Sequence, residues 1–159
     1  SEFGQWQEWR EQHSLDWHLL EQPEHRALLD LNRDLNHLYL ENPVLHAGDT
    51  DPAGFAWIDL HNGDQSVFAF LRRSPLHPDR PPLLCVFNCT PVPREDYWLG
   101  VPATGTYRKV LDTDAARYGG SGFNQQERVV TQLAPCQGYP CHIRLDLPPL
   151  GALFFELAD

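Results

Sequence analysis

Trp6, Trp9 and Trp17 fall within one short stretch, "GQWQEWREQHSLDW" at 4–17, among Gln5, Gln7, Glu8, Glu11 and Asp16. Flat indole faces stack on the apolar faces of sugar rings, while neighbouring amides and carboxylates bond the ring hydroxyls. Gln5, Trp6, Trp9, Asp16 and Trp17 are therefore candidate contacts for a carbohydrate. The same indoles suit packing against a protein scaffold, and the residues alone leave both readings open. Glu8, Glu11 and Asp16 also bring carboxyl groups near aromatic rings. Glycoside chemistry needs two such groups held at a set separation across a bond. Nothing in this irregular stretch fixes that separation, so the carboxylates read as solvated or capping groups.

Other chemistry-bearing patterns are weaker. "RYGGSGFN" (117–124) is rich in glycine but lacks the Lys-Ser/Thr ending of a phosphate-binding loop and does not lead from a strand into a helix, so it reads as a flexible loop. Cys85, Cys89, Cys136 and Cys141 form two pairs separated by three and four residues. These spacings are looser than the two-residue zinc knuckle. In "LLCVFNC" a strand would place Cys85 and Cys89 on one face, which suits buried apolar thiols, and no metal or other cofactor is expected. "NCT" at 88–90 fits a glycosylation acceptor in form only, and the eight histidines are scattered and read as mostly surface residues.

Composition narrows the partners. The 159 residues carry 22 acidic against 12 basic side chains, a formal charge of −10, and no local basic patch offsets it. Such a surface repels a phosphate backbone, so nucleic acid is not an expected partner. There is no apolar run of the length that spans a bilayer and no basic-then-apolar leader, so a membrane is not expected either and the chain reads as cytoplasmic.

The elements that would position these residues follow from periodicity. "SLDWHLL" (14–20) predicts a short helical turn that Ser14 could cap. In "PEHRALLDLNRDLNHLYLENP" Leu28, Leu31, Leu35 and Leu38 recur at three and four residues. Pro23 suits the first turn and Asn42-Pro43 closes the segment, giving one amphipathic helix of about five turns. From Asp51 the period changes to short segments rich in aromatic and β-branched residues. They occupy 54–60, 66–73, 83–89, 97–101, 107–113, 127–133, 141–147 and 151–157. The turn-rich stretches between them, such as "HNGD", "SPLHPDRPP" and "PATG", leave no room for helices. The pattern predicts a mainly β fold, an antiparallel sandwich preceded by a helical segment, with a boundary near 46–54.

One resemblance ties these features together. "EFGQWQEW" followed by "SLDWHLL" resembles the end of the catalytic barrel in glycogen branching enzymes, the 1,4-α-glucan branching members of the α-amylase superfamily. "LNRDLNHLY" (31–39), "DPAGFAWID" (51–59), "SVFAFLRR" (66–73), "NCTPVPREDY" (88–97), "LDTDAARYGGSG" (111–122) and "LDLPPLGALFFE" (145–156) follow in the family's order. Cys89 departs from the family's usual Phe, and "FNQQERVV" replaces a more glycine-rich loop. The resemblance implies that 1–47 is the end of an (α/β)8 barrel, its last βα loop and amphipathic helix, and that 48–159 is a C-terminal β-sandwich domain. An irregular aromatic opening is what a last βα loop should look like, because active sites of such barrels lie on the loops after the strands.

The family transfers α-1,4-glucan chains to form α-1,6 branches by retaining transglycosylation, and its α-glucan partners include glycogen and maltooligosaccharides. Its catalytic acids lie on earlier barrel strands, so none maps onto this chain, and the fragment by itself is expected to be non-catalytic. Its missing partner would be the rest of the barrel. Without that barrel, the leucine face is expected to be hidden by folding back on the sandwich or by self-association. A stand-alone carbohydrate-binding or purely structural sandwich is the alternative reading.

Overall fold

The computed structural model describes residues 2–158. The leucine-spaced segment forms helix α1, Pro23–Glu41. Proline costs nothing at its first position, where the absent N–H would have had no partner. At the other end the Asn42 N–H donates to the Leu38 carbonyl at 3.1 Å. The Asn42 side chain then accepts the Val44 N–H at 3.2 Å and starts a 3-10 turn, Pro43–Leu45. That turn seats Val44, fully buried, on the β domain. The expected helical turn before α1 is a 3-10 helix, Trp17–Glu21. Ser14 does not cap it: the cap position is Asp16, which makes no side-chain cap bond, and Ser14 lies two residues outside.

Eight strands follow, each within or beside a segment expected from alternation: β1 Phe55–Asp59, β2 Val67–Arg72, β3 Leu83–Asn88, β4 Arg94–Val101, β5 Thr106–Asp112, β6 Arg128–Val130, β7 Cys141–Leu147 and β8 Gly151–Leu157. They divide unequally between a six-stranded sheet, ordered β1-β2-β3-β8-β5-β6, and a two-stranded sheet of β4 and β7. Every pairing is antiparallel. "SPLHPDRPP" is the hairpin connection between β2 and β3, as its proline content suggests.

The two sheets pack face to face over a single apolar layer. Alternation supplies it directly: Cys141, Ile143, Leu145 and Leu147 point inward from β7, Leu153 and Phe155 from β8, and Val67, Ala69 and Leu71 from β2. Polar Asn88 is also buried, donating to the carbonyls of Val92 at 2.8 Å and Pro148 at 2.9 Å. The acceptor asparagine of "NCT" is thus a structural residue.

The outer face of the large sheet carries a second cluster, in which Phe70, Phe87, Val110 and Phe154 surround Val44, Leu83 and Cys85. Cys85 belongs to this layer as expected. Cys89 does not, because β3 ends one residue earlier and leaves its thiol exposed. His142 likewise departs from the surface reading and is buried. The glycine-rich loop after β5 is firmly tied, contrary to expectation. The Asp114 carboxylate accepts from the Ser121 N–H at 2.9 Å, the Ser121 hydroxyl at 2.5 Å and the Phe123 N–H at 3.3 Å.

Helix α1 meets the β domain at the 3-10 turn Ala116–Tyr118 of this loop. Leu28, Leu31, Leu35 and Leu38 are each mostly covered, although no residue of α1 is fully buried. Among the described residues no helix is long and apolar enough to cross a membrane, and no three His, Cys, Asp or Glu side chains converge as metal ligands would.

Candidate functional site

The aromatic stretch is rooted on α1 by its first residues. Phe3 is 1% exposed and stacks on Trp17 with centroids 5.3 Å apart and planes 25° apart. Its carbonyl accepts from His25 Nδ1 at 2.7 Å, and the Glu2 carbonyl accepts from Asn32 Nδ2 at 2.8 Å. His25, Leu28 and Asn32 are spaced three and four apart, so they share one helix face. Gly4 makes the close approach possible: its φ is +68°, and a Cβ there would stand 3.1 Å from Leu28 Cδ2.

Beyond Gly4 the chain leaves the helix and returns at Asp16. Gln5 spans the two limbs, donating from Nε2 to the Gln7 carbonyl at 2.8 Å and accepting the Asp16 N–H on Oε1 at 3.4 Å. The limbs enclose a hollow of about 830 Å³ lined by Gln5, Gln7, Glu8, Trp9, Glu11, His13 and Trp17, among others. Indole surface and hydrogen-bonding side chains thus share one concavity, as recognition of a sugar requires. The geometry brings together Gln5, Trp9 and Trp17. It leaves out Trp6, which meets the edge of His25 at 5.6 Å, and Asp16, which contributes its backbone to the Gln5 bond. Trp6 and Trp9 are 73% and 71% exposed, and Trp17 is 55% exposed because one of its faces is taken by Phe3.

Glu2, Glu8 and Glu11, the carboxylates at the hollow, are exposed. The carboxyl that burial pushes above the usual range is instead Asp112, on β5, where the Asp114 N–H and Lys109 pull it partly back. Its contacts, 2.8 Å to the Asp114 N–H and 3.8 Å to Lys109 Nζ, are those of a buried structural group.

Two exposed indoles were not singled out by residue chemistry. Trp57 points away from the core of β1, packs edge-on to Phe55 at 4.9 Å, and walls an apolar hollow of about 340 Å³ with Leu60, Val67 and Phe68. Trp98, on β4, stacks on His142 at 4.4 Å with planes 9° apart and lies 4.7 Å from the Arg144 guanidinium. The available signal was strand alternation, since buried Ile58 and Leu99 imply outward neighbours.

Residues 57–158 match the family described as "Alpha amylase, C-terminal all-beta domain", and the chain belongs to that family. The fold of the chain is similar to that of a solved structure, an alpha-amylase from H. orenii, at a TM-score of 0.51 and 20% identity, over 87% of this chain and 22% of that one. The particular relatives are narrower in kind. The chain is 46% identical over 98% of its length to the 1,4-alpha-glucan branching enzyme GlgB of Thiobacillus denitrificans, covering 21% of it. It is 43% identical to GlgB of Marinobacter nauticus, over 99% of this chain and 25% of that protein. With GlgB of Aquifex aeolicus the figures are 42%, 98% and 24%. These matches bear out the resemblance drawn from the motifs. The chain spans only about a fifth to a quarter of these relatives' length.

Proposed function

We propose that this chain is the C-terminal portion of a 1,4-α-glucan branching enzyme of glycogen synthesis in the cytoplasm. In this reading 1–47 ends the catalytic (α/β)8 barrel and 48–159 is the β domain that buttresses it. The observation that carries the reading is collinear identity through nearly the whole chain, which includes the aromatic loop and α1 as well as the sandwich. The acids that cleave and re-form glycosidic bonds belong to the rest of the enzyme. This portion supplies a wall of the glucan path, with Gln5, Trp9 and Trp17 contacting sugar and Trp6 and Asp16 framing them.

Two experiments test the reading. Incubated with amylose, the isolated chain is expected to form no α-1,6 linkages by linkage analysis or iodine staining, and new branches would overturn its non-catalytic role. Titrated with maltoheptaose, it is expected to show saturable quenching of tryptophan fluorescence. Trp9→Ala should weaken that binding about five-fold or more and Trp6→Ala much less, in line with a stacking contribution of about 1 kcal/mol. Absence of any response would leave the segment a purely structural one.

A further inference from the structure

We propose that Tyr118 of the β domain is a positioning residue for the aromatic loop, acting through helix α1 by its grip on Asp34. The effect on glucan binding rests on the reading above; the mechanical coupling does not.

Helix α1 is held on two separate faces. His25, Leu28 and Asn32 carry the loop through Phe3, Gly4 and Glu2. Ala27 and Asp34, seven residues apart, face the turn Ala116–Tyr118, roughly 140° around the helix at 100° per residue. Between the two faces runs the leucine stripe, mostly but not fully covered. No residue of α1 is fully buried, so the polar contact on the second face adds to the packing of the leucines in fixing its place.

That contact is built on a rigid post. Tyr118 is 8% exposed and its hydroxyl donates to Asp34 Oδ2, while Arg117 Nη2 lies 3.5 Å from the same oxygen. The Arg117 guanidinium also lies 4.6 Å from the centre of the Tyr118 ring. Gly119, at φ +81°, closes the turn, and a Cβ there would already touch Ala27 at 4.0 Å. Asp114 pins the return of the loop through Ser121 and Phe123. Burial and the bond to Asp34 raise the Tyr118 hydroxyl to about 12, so it keeps the proton it donates at neutral pH.

Amide hydrogen exchange of the whole chain tests the coupling without any ligand. Tyr118→Phe and Asp34→Ala should each speed exchange in 2–41 about five-fold or more and leave β7 and β8 protected, and the double variant should add little. Tyr97→Phe, which removes a hydroxyl bond to Asp59 elsewhere in the β domain, is the control and should leave 2–41 unchanged. Unchanged exchange in Tyr118→Phe, or acceleration spread evenly over all strands, overturns the proposal. Maltoheptaose titration of the same proteins separates the two claims. Weaker binding in Tyr118→Phe but not Tyr97→Phe supports both. Faster loop exchange with no binding by the wild type upholds the coupling and sinks the glucan reading.

Discussion

Asn88 and Pro148 meet across the end of the sandwich, the side-chain amide of the first donating to the carbonyl of the second at 2.9 Å. The same amide donates to Val92, and its oxygen accepts from the Thr90 N–H at 3.1 Å and the Thr90 hydroxyl at 2.8 Å. One buried side chain thereby satisfies the turn after β3 and the turn before β8. Asn88→Ala leaves these groups unpartnered and is expected to cost roughly 3 kcal/mol, as measured by urea unfolding.

Gly120 has a sharper steric constraint than Gly4. A Cβ at Gly120 would stand 2.2 Å from the Asp114 carbonyl oxygen and 2.6 Å from its Cα, backbone atoms that cannot move aside without breaking the loop. Gly120→Ala is expected to lose on the order of 3 kcal/mol. Gly4→Ala meets only the end of a leucine side chain but sits in the left-handed region, and should lose about 1–2 kcal/mol. Gly63→Ala, with nothing within 4 Å, is the neutral control in the same thermal melts.

Alkaline pH should weaken the fold in a defined window. The hydroxyls of Tyr107 and Tyr118 are both pushed up from 10.0 to about 12, chiefly by burial. A proton held more tightly in the folded chain than in the unfolded one contributes stability that is complete below pH 10 and declines as pH rises from 10 through 12. The stability difference between wild type and Tyr118→Phe should therefore narrow across that interval. Unfolding at a series of pH values checks it, and tyrosinate absorbance should show the delayed titration directly.

The four thiols should react in order of access. Cys89 is exposed and should be labelled at once by a disulfide reagent, with Cys136 slower. Cys85, buried and pushed up to about 12, should react only on unfolding, together with Cys141. Cys89→Ala is expected to remove the fast phase of the reaction.

Local pattern was enough to read the elements. Leucines at 28, 31, 35 and 38 marked α1, and alternation such as Cys141, Ile143, Leu145, Leu147 marked the strands, because each reflects one face turned to an apolar layer. Partner choice was not legible. Nothing local says that β4 and β7 leave the main sheet, or that Tyr118 reaches a helix 84 residues earlier in the chain. The cap assigned to Ser14 failed because the turn starts three residues later, at Trp17. In the candidate site, composition picked out the stretch that lines the hollow. The grouping of Gln5, Trp9 and Trp17 without Trp6 depends on Gly4 and on the grip of His25 and Asn32, which no residue-type argument supplies.

The order of the large sheet also bears on how the chain matures on a ribosome. Strand β8 lies between β3 and β5, so the β1-β2-β3 meander and the β5-β6 pair have no shared backbone ladder until Gly151–Leu157 emerges. A nascent polypeptide halted before that point would present two unjoined half-sheets with sticky flanks, and a stop codon there would yield a product destined for clearance.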